Sequence, residues 1–186
     1  MELKYFLIIF LIVSFGFVKA EEGFPVKGLE PEIVELGDMT VVGLQILYSS
    51  KCNLIPQLWE RFMPRIHEIK DVARKDVGLE VSYDMQDSEG KETFFVIAGL
   101  IVNSTTHIPE GMTYKHISAH EYAKFTHQGP ISEISSTYNF IYKEWLPASA
   151  YEHDDEGCEV EWYDERFKME DEDSEFDIYV PIKQKS

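Results

Sequence analysis

The segment Val160-Glu161-Trp162-Tyr163 sets one carboxylate among aromatic side chains. Read as a strand, it sends Glu161 and Tyr163 to one side and Val160 and Trp162 to the other. A carboxylate beside rings attracts a cation through its charge and through the negative ring faces. Desolvated, the same carboxylate could serve as a general base with a raised pKa. On an exposed edge strand it would be an ordinary surface acid, and the residues alone leave all three readings open. Other chemistry is poorly represented. There is no Gly-rich phosphate loop, no His-Glu-x-x-His and no Gly-x-Ser-x-Gly. His116 and His120 stand four apart in a segment that reads as extended, where that spacing does not converge on a metal, so no metal site is expected. Residues 152–177 hold 14 Asp or Glu against Arg166 and Lys168. Such a run reads as a solvated face; loose calcium binding is the alternative, without the EF-hand spacing.

Composition narrows the classes further. The chain has 186 residues, 44% hydrophobic and 13% aromatic, enough for one domain with a real core. Its formal charge of −17 excludes a nucleic-acid binder of the usual basic kind. Two cysteines are too few for a disulfide-dense scaffold or a four-thiolate zinc site.

Residues 1–20 read as a secretory signal peptide. Lys4 precedes an apolar run from Tyr5 to Val18, and Val18-Lys19-Ala20 offers small residues for cleavage after Ala20. The run is shorter than the roughly 20 residues of a membrane span, though an uncleaved N-terminal anchor is the alternative. The expectation is a secreted or periplasmic protein with no other membrane contact. In an oxidising compartment Cys52 and Cys158 could form a disulfide, and Asn103-Ser104-Thr105 could accept a glycan in a eukaryotic pathway.

The elements that must position Glu161 follow from periodicity. Residues 21–31, with Gly23, Pro25, Gly28 and Pro31, read as a tether. Ile33 to Leu47 reads as extended, with a break at Gly37-Asp38. Asn53 can cap a helix carrying Leu54, Ile55, Leu58, Trp59, Phe62, Met63 and Ile66, which Pro64 should kink or end. Strands are expected over 77–85 and 92–102, around a turn at Asp87 to Gly90. Met112 to Phe125 reads as extended with a bend at Ser118-Ala119. Ser132 can cap a second helix with Ile134, Tyr138, Ile141, Tyr142 and Trp145, stopped by Pro147. Two further strands fall at 158–165 and 176–182. At an offset of 79, Ile55 matches Ile134, Trp59 matches Tyr138 and Phe62 matches Ile141; at 80, Tyr83 meets Tyr163. The expected class is α+β: a β-α-β-β unit used twice with pseudo-twofold symmetry, two main helices on an antiparallel sheet and a central ligand pocket.

In this order the segments resemble a known family. Val41-Val42-Gly43, Ile55 to Trp59, Phe94 to Gly99 and Tyr122 to Pro130 carry the first part of the likeness. Glu144-Trp145-Leu146-Pro147, Glu161 to Phe167 and Ser174 to Ile182 carry the rest. Over residues 32–183, before a tail at 184–186, the chain is similar to the GyrI-like small-molecule-binding domain, also called the AraC-type effector-binding domain. The resemblance implies a duplicated fold with a pocket between its halves, no cofactor, and a buried glutamate among aromatic walls that takes lipophilic or cationic molecules. The family glutamate matches Glu161 and the following aromatic matches Tyr163. Trp59, Tyr83 and Phe94 fall where pocket-lining side chains stand, and Trp145 falls in the core. Members serve as ligand sensors fused to DNA-binding helices, as drug binders or as gyrase inhibitors, and a few are hydrolases of reactive ring compounds. Residues 21–31 leave no room for DNA-binding helices, and an export signal sets gyrase aside. Ile101 stands where many members carry a glutamate. The expectation is an exported, monomeric small-molecule binder. Its alternatives are a hydrolase with Glu161 as general base, and an interaction module using the acidic region.

Overall fold

A computed structural model describes residues 29–49, 54–88 and 91–185; residues 1–20 with the expected signal peptide, Cys52 and Asn53 lie outside the described residues. Among these residues, apolar and alternating stretches form nine strands: β1 Glu32–Leu36, β2 Met39–Ser49, β3 Gly78–Ser88, β4 Lys91–Val102, β5 Thr113–Ile117, β6 His120–Gln128, β7 Tyr151–His153, β8 Glu159–Tyr163 and β9 Glu175–Gln184. Every pairing is antiparallel, and the sheet order is β1-β6-β9-β8-β3-β4-β2-β5, with β7 on β9. The short β7 is the one described strand that periodicity did not suggest, because three residues are too few to show a period. The strand β1 precedes β2 in the chain but lies against β6, while β5 precedes β6 but lies against β2. No helix among the described residues is long and apolar enough to cross a membrane.

Helix α1, Ile55–Phe62, carries Pro56 in its first turn, where a missing N–H costs nothing. It tightens into a 3-10 segment, Met63–Glu68, where Pro64 lacks the N–H that would extend the α-helical ladder. Helix α2, Ile134–Phe140, opens after a 3-10 turn at Ile131–Glu133. That turn displaces the expected cap. The N-cap position is Glu133 without a side-chain cap bond, and Ser132 Oγ instead donates to Glu170 Oε2 at 3.0 Å. The helix widens into a π-turn at Ile141–Trp145 and ends in one α-turn, α3, Leu146–Ala148, which Pro147 terminates.

Both helices pack on one face of the sheet. Leu58 and Phe62 of α1 bury against Val42, Leu44, Val96, Ala98 and Leu100. Ile141 packs with Ala123, Phe125, Phe176, Ile178 and Val180. The opposite face is also buried, by Val41, Leu79, Val81, Tyr83, Ile97 and Val160. The sheet curls to cover that face itself. Lys115 of β5 sets its Nζ 4.1 Å from the Tyr83 ring centroid on β3. In a flat sheet those strands would stand three spacings, about 14 Å, apart. Gly43 and Gly99, cross-strand partners, mark the tightest approach. A Cβ on Gly43 would fall 1.9 Å from the Ala98 carbonyl oxygen, and one on Gly99 2.5 Å from that of Val42.

Candidate functional site

The middle of the sheet is the seam between β3 and β8. Its register pairs Gly78 with Tyr163, Glu80 with Glu161, and Ser82 with Glu159. Cross-strand partners share a face, so this ladder points two glutamates side by side toward the helices, with a third one step along. Trp59 on α1 and Tyr138 on α2 approach them from above. The indole Nε1 of Trp59 donates to Glu80 Oε2 at 2.7 Å. Its ring lies over Gly78, whose absent Cβ would sit 3.4 Å from Trp59 Cη2, and meets the Tyr163 ring edge-on at 5.5 Å. The phenol of Tyr138 donates to Glu161 Oε1 at 2.7 Å. Tyr163 donates to Glu161 Oε2, and Tyr142 to Glu159 Oε1. Tyr138 and Tyr142 are one helical turn apart, about 5.4 Å, close to the two-residue repeat of about 6.8 Å that separates Glu161 from Glu159. The helix therefore lays phenols along alternate residues of β8.

Electrostatics at the seam is one-sided. Glu80 is 5% exposed and Glu159 8%, while Glu161 is half-buried. Desolvation pushes the Glu161 carboxyl up, partly offset by the Tyr163 and Tyr138 hydroxyls. Glu80 is pushed well up by desolvation and then by the Glu161 charge, with Trp59 opposing. Tyr163 and Tyr138 are raised by desolvation and by the same glutamates, which fixes them as neutral donors. Among the described residues no Lys or Arg pairs with Glu80 or Glu161. The loop after β8 closes one end. Arg166 binds Asp164 and Asp177, each at 2.8 Å, and so holds Phe167 against Tyr163 with ring centroids 4.7 Å apart.

Of the five ligand-binding residues expected from sequence, Glu161, Tyr163 and Trp59 come together. Phe94 lies on the same face within the α1 cluster, stacked on Tyr48 at 4.5 Å. Tyr83 falls on the opposite face, where its hydroxyl donates to Gln45 Oε1 at 2.7 Å. Across the antiparallel seam it is Glu80 that stands opposite Glu161. Sequence reasoning missed Glu80, Glu159 and the roles of Tyr138 and Tyr142. Ile101 faces the opposite core and takes no part in the site. Trp145 packs edge-on against Phe125 at 5.1 Å, as core.

At the rim a cavity of about 60 Å³ is lined by Ser82, Tyr83, Asp84, His153, Asp155, Gly157 and Glu159. It is much smaller than the roughly 300–1,000 Å³ of a ligand pocket. His153 reaches Asp155 at 2.9 Å and Glu159 at 3.5 Å. Desolvation lowers its pKa, but Glu159 and Asp155 outweigh that and leave it raised. The other histidines disperse: His116 meets Thr40 at 3.2 Å and His120 meets Asp154 at 3.1 Å. Cys158 is buried against Val160, with its thiol pushed up by desolvation.

Comparison with known proteins bears on the family and the fold. The chain is 35% identical over 158 residues to the transcriptional regulator BrlR of Pseudomonas aeruginosa, covering 84% of this chain but 57% of the regulator. It thus spans just over half the length of that relative. An integron cassette protein from Vibrio cholerae shares the fold at TM-score 0.62 and 17% identity, covering 84% of this chain and all of that one. SAV2435, solved bound to tetraphenylphosphonium, matches at TM-score 0.68 and 15% identity over 83% of this chain and 94% of that one. Residues 29–183 match the model of the GyrI-like small molecule binding domain, and with most of the chain inside that match, the protein belongs to the GyrI-like family.

Proposed function

We propose that the chain binds lipophilic cations between α1 and α2, with the Glu161 carboxylate as counter-charge and Trp59, Tyr138, Tyr163 and Phe167 as walls. One observation carries the reading: a desolvated carboxylate held by two phenols, ringed by aromatics and paired with no Lys or Arg among the described residues. Such an anion gains from a desolvated organic cation, which brings its own attraction to ring faces of about 0.5–2 kcal/mol each. The presence of tetraphenylphosphonium on SAV2435 fits the same chemistry. Because Tyr138 and Tyr163 occupy both Glu161 oxygens, admitting a ligand requires those side chains to yield. The matching strand order on either side of the β3/β8 seam supports an internal duplication. The pattern of residues 1–20 supports action outside the cytoplasm.

The test is titration of the full chain with tetraphenylphosphonium, read by tryptophan fluorescence. Micromolar affinity is expected, about −8 kcal/mol, with a loss of at least tenfold in Glu161→Gln. Equal binding by that variant would overturn the reading. Turnover of an epoxide probe, abolished in the variant, would favour a hydrolase instead. Loss of binding in high salt would favour the exposed acidic region, since surface charges are screened beyond about 8–10 Å.

A further inference from the structure

Glu80 adds something that a single-glutamate site does not need. It sits directly across from Glu161 on the same face and is 5% exposed. Like charges opposite one another in a ladder are destabilising, and desolvation deepens the cost. Nothing in the packing requires an acid there, since the neighbouring positions on β4 are apolar and Ala98 is its partner on that side. The groups that face the pair are few. Trp59 of α1 gives Glu80 its hydrogen bond, while Tyr138 comes from α2 and Tyr142 from the π-turn that continues it. Glu159 and Tyr163 stand on β8, and His153 of β7 faces Glu159 rather than the pair. None of these supplies a fixed positive charge.

The hydrogen bonds divide the pair unequally. Glu161 accepts two phenols, whereas Glu80 accepts one indole. Donors stabilise the charged form, so of the two carboxyls Glu161 is the better held as an anion and Glu80 is the one that favours a proton. One proton shared by the pair in this way leaves it with a single negative charge.

We propose that Glu80 is a second anionic acceptor of this site, opened by loss of its proton, so that the paired glutamates select dications over monocations. The proposal rests on the cation-binding reading above and deepens it. A monocation neutralises Glu161 and leaves the Glu80 proton in place. A dication with closely spaced charges neutralises both carboxylates, and the Glu80 proton leaves to solvent. Charge balances in each complex. By linkage, dication affinity rises tenfold per pH unit while Glu80 is protonated in the free protein and levels off above its pKa. Monocation affinity has no such slope from Glu80.

The experiment compares two near-isosteric probes that differ by one charge, methyl viologen and N-methyl-phenylpyridinium, on the full chain. Fluorescence titration over a range of pH gives affinities, and calorimetry in two buffers of different ionisation enthalpy gives protons released. For the wild type, one proton is expected to leave per methyl viologen bound and close to none per monocation. Glu80→Gln should remove the pH slope and lower methyl viologen affinity at least tenfold more than monocation affinity. Equal slopes for the two probes, no proton release, or a Glu80→Gln variant with its dication slope intact would overturn the proposal while leaving cation binding at Glu161 standing. Failure of both probes to bind the wild type would overturn both readings together. The proton count is read on the wild-type protein, so it decides the question even where the variant folds poorly.

Discussion

Replacing Tyr138 with Phe removes one hydroxyl and leaves the ring. The lost bond is a 2.7 Å donation from a neutral phenol to the Glu161 carboxylate. A hydrogen bond to a charged group contributes about 1.5–3 kcal/mol, and one pKa unit corresponds to about 1.36 kcal/mol, so the full loss would raise the Glu161 pKa by about 1–2 units. Glu161 is half-buried, and water can replace part of the lost donation, which favours the lower end. Tyr163 remains as a second donor. The expected shift is therefore about one unit upward. Since a cation needs the ionised carboxylate, the acid limb of tetraphenylphosphonium binding should move up by the same amount. Fluorescence titrations at a series of pH values measure it. The plateau at high pH reports ring contact together with the cost of displacing the hydroxyl from Glu161, and the midpoint reports the charge, so the two effects separate. The carbonyl stretch of the protonated acid, followed by infrared difference spectroscopy against pH, gives a second reading of the midpoint. A midpoint that moves by less than about 0.3 unit, or downward, would refute the assignment of Tyr138 as a donor that holds Glu161 ionised.

Two further outcomes follow from the same geometry. Glu80→Gln should stabilise the fold. The folded pKa of Glu80 is raised above its unfolded value, so the folded state binds the extra proton, and wild-type stability falls as pH rises from the unfolded pKa, about 4.3, through the folded one. The variant lacks that fall. Its advantage should grow with pH, and each 1 kcal/mol should appear as about 2–4 °C in Tm; a lower Tm at neutral pH would contradict the desolvated acid. Gly43→Ala should be strongly destabilising, by about 3 kcal/mol or more, because the new methyl would meet a backbone carbonyl at 1.9 Å and neither strand can give way alone. Chemical denaturation measures it, and a loss under about 1 kcal/mol would show that the sheet relaxes there.

The strands and helices were largely legible because period two runs through β3, because β2 and β4 are apolar stretches of strand length, and because the 3.6 period runs through α1 and from α2 into the π-turn. What periodicity could not supply was register. In β3, Leu79, Val81 and Tyr83 are apolar, and Glu80 and Ser82 alternate with them. That pattern reads as core inside and water outside. Both faces of β3 are buried, so the polar side faces the helices instead. With one side mistaken for solvent, Glu80 looked unremarkable and Tyr83 took its place as the partner of the Glu161 strand. The signal was present in the helices: Trp59 and Tyr138, matched at an offset of 79, are both side-chain donors, and each needs an acceptor beneath it. The π-turn at Ile141–Trp145 had no sequence signal, since an extra residue in a helical turn leaves the apolar spacing of Ile141, Tyr142 and Trp145 almost unchanged. Cys158 became a core residue, while its suggested partner Cys52 lies outside the described residues.

The crossed placement of β1 and β5 bears on how the molecule holds together. Each half of the chain sends its leading arm across to seal the border of the other, so the halves are laced rather than merely abutted. Neither is self-contained: a severed half would surrender one arm and expose a raw border of amide groups, inviting association with any available strand. The lacing couples the melting of one flank to that of the other, so both flanks of the glutamate seam are secured by segments from the far side of the chain.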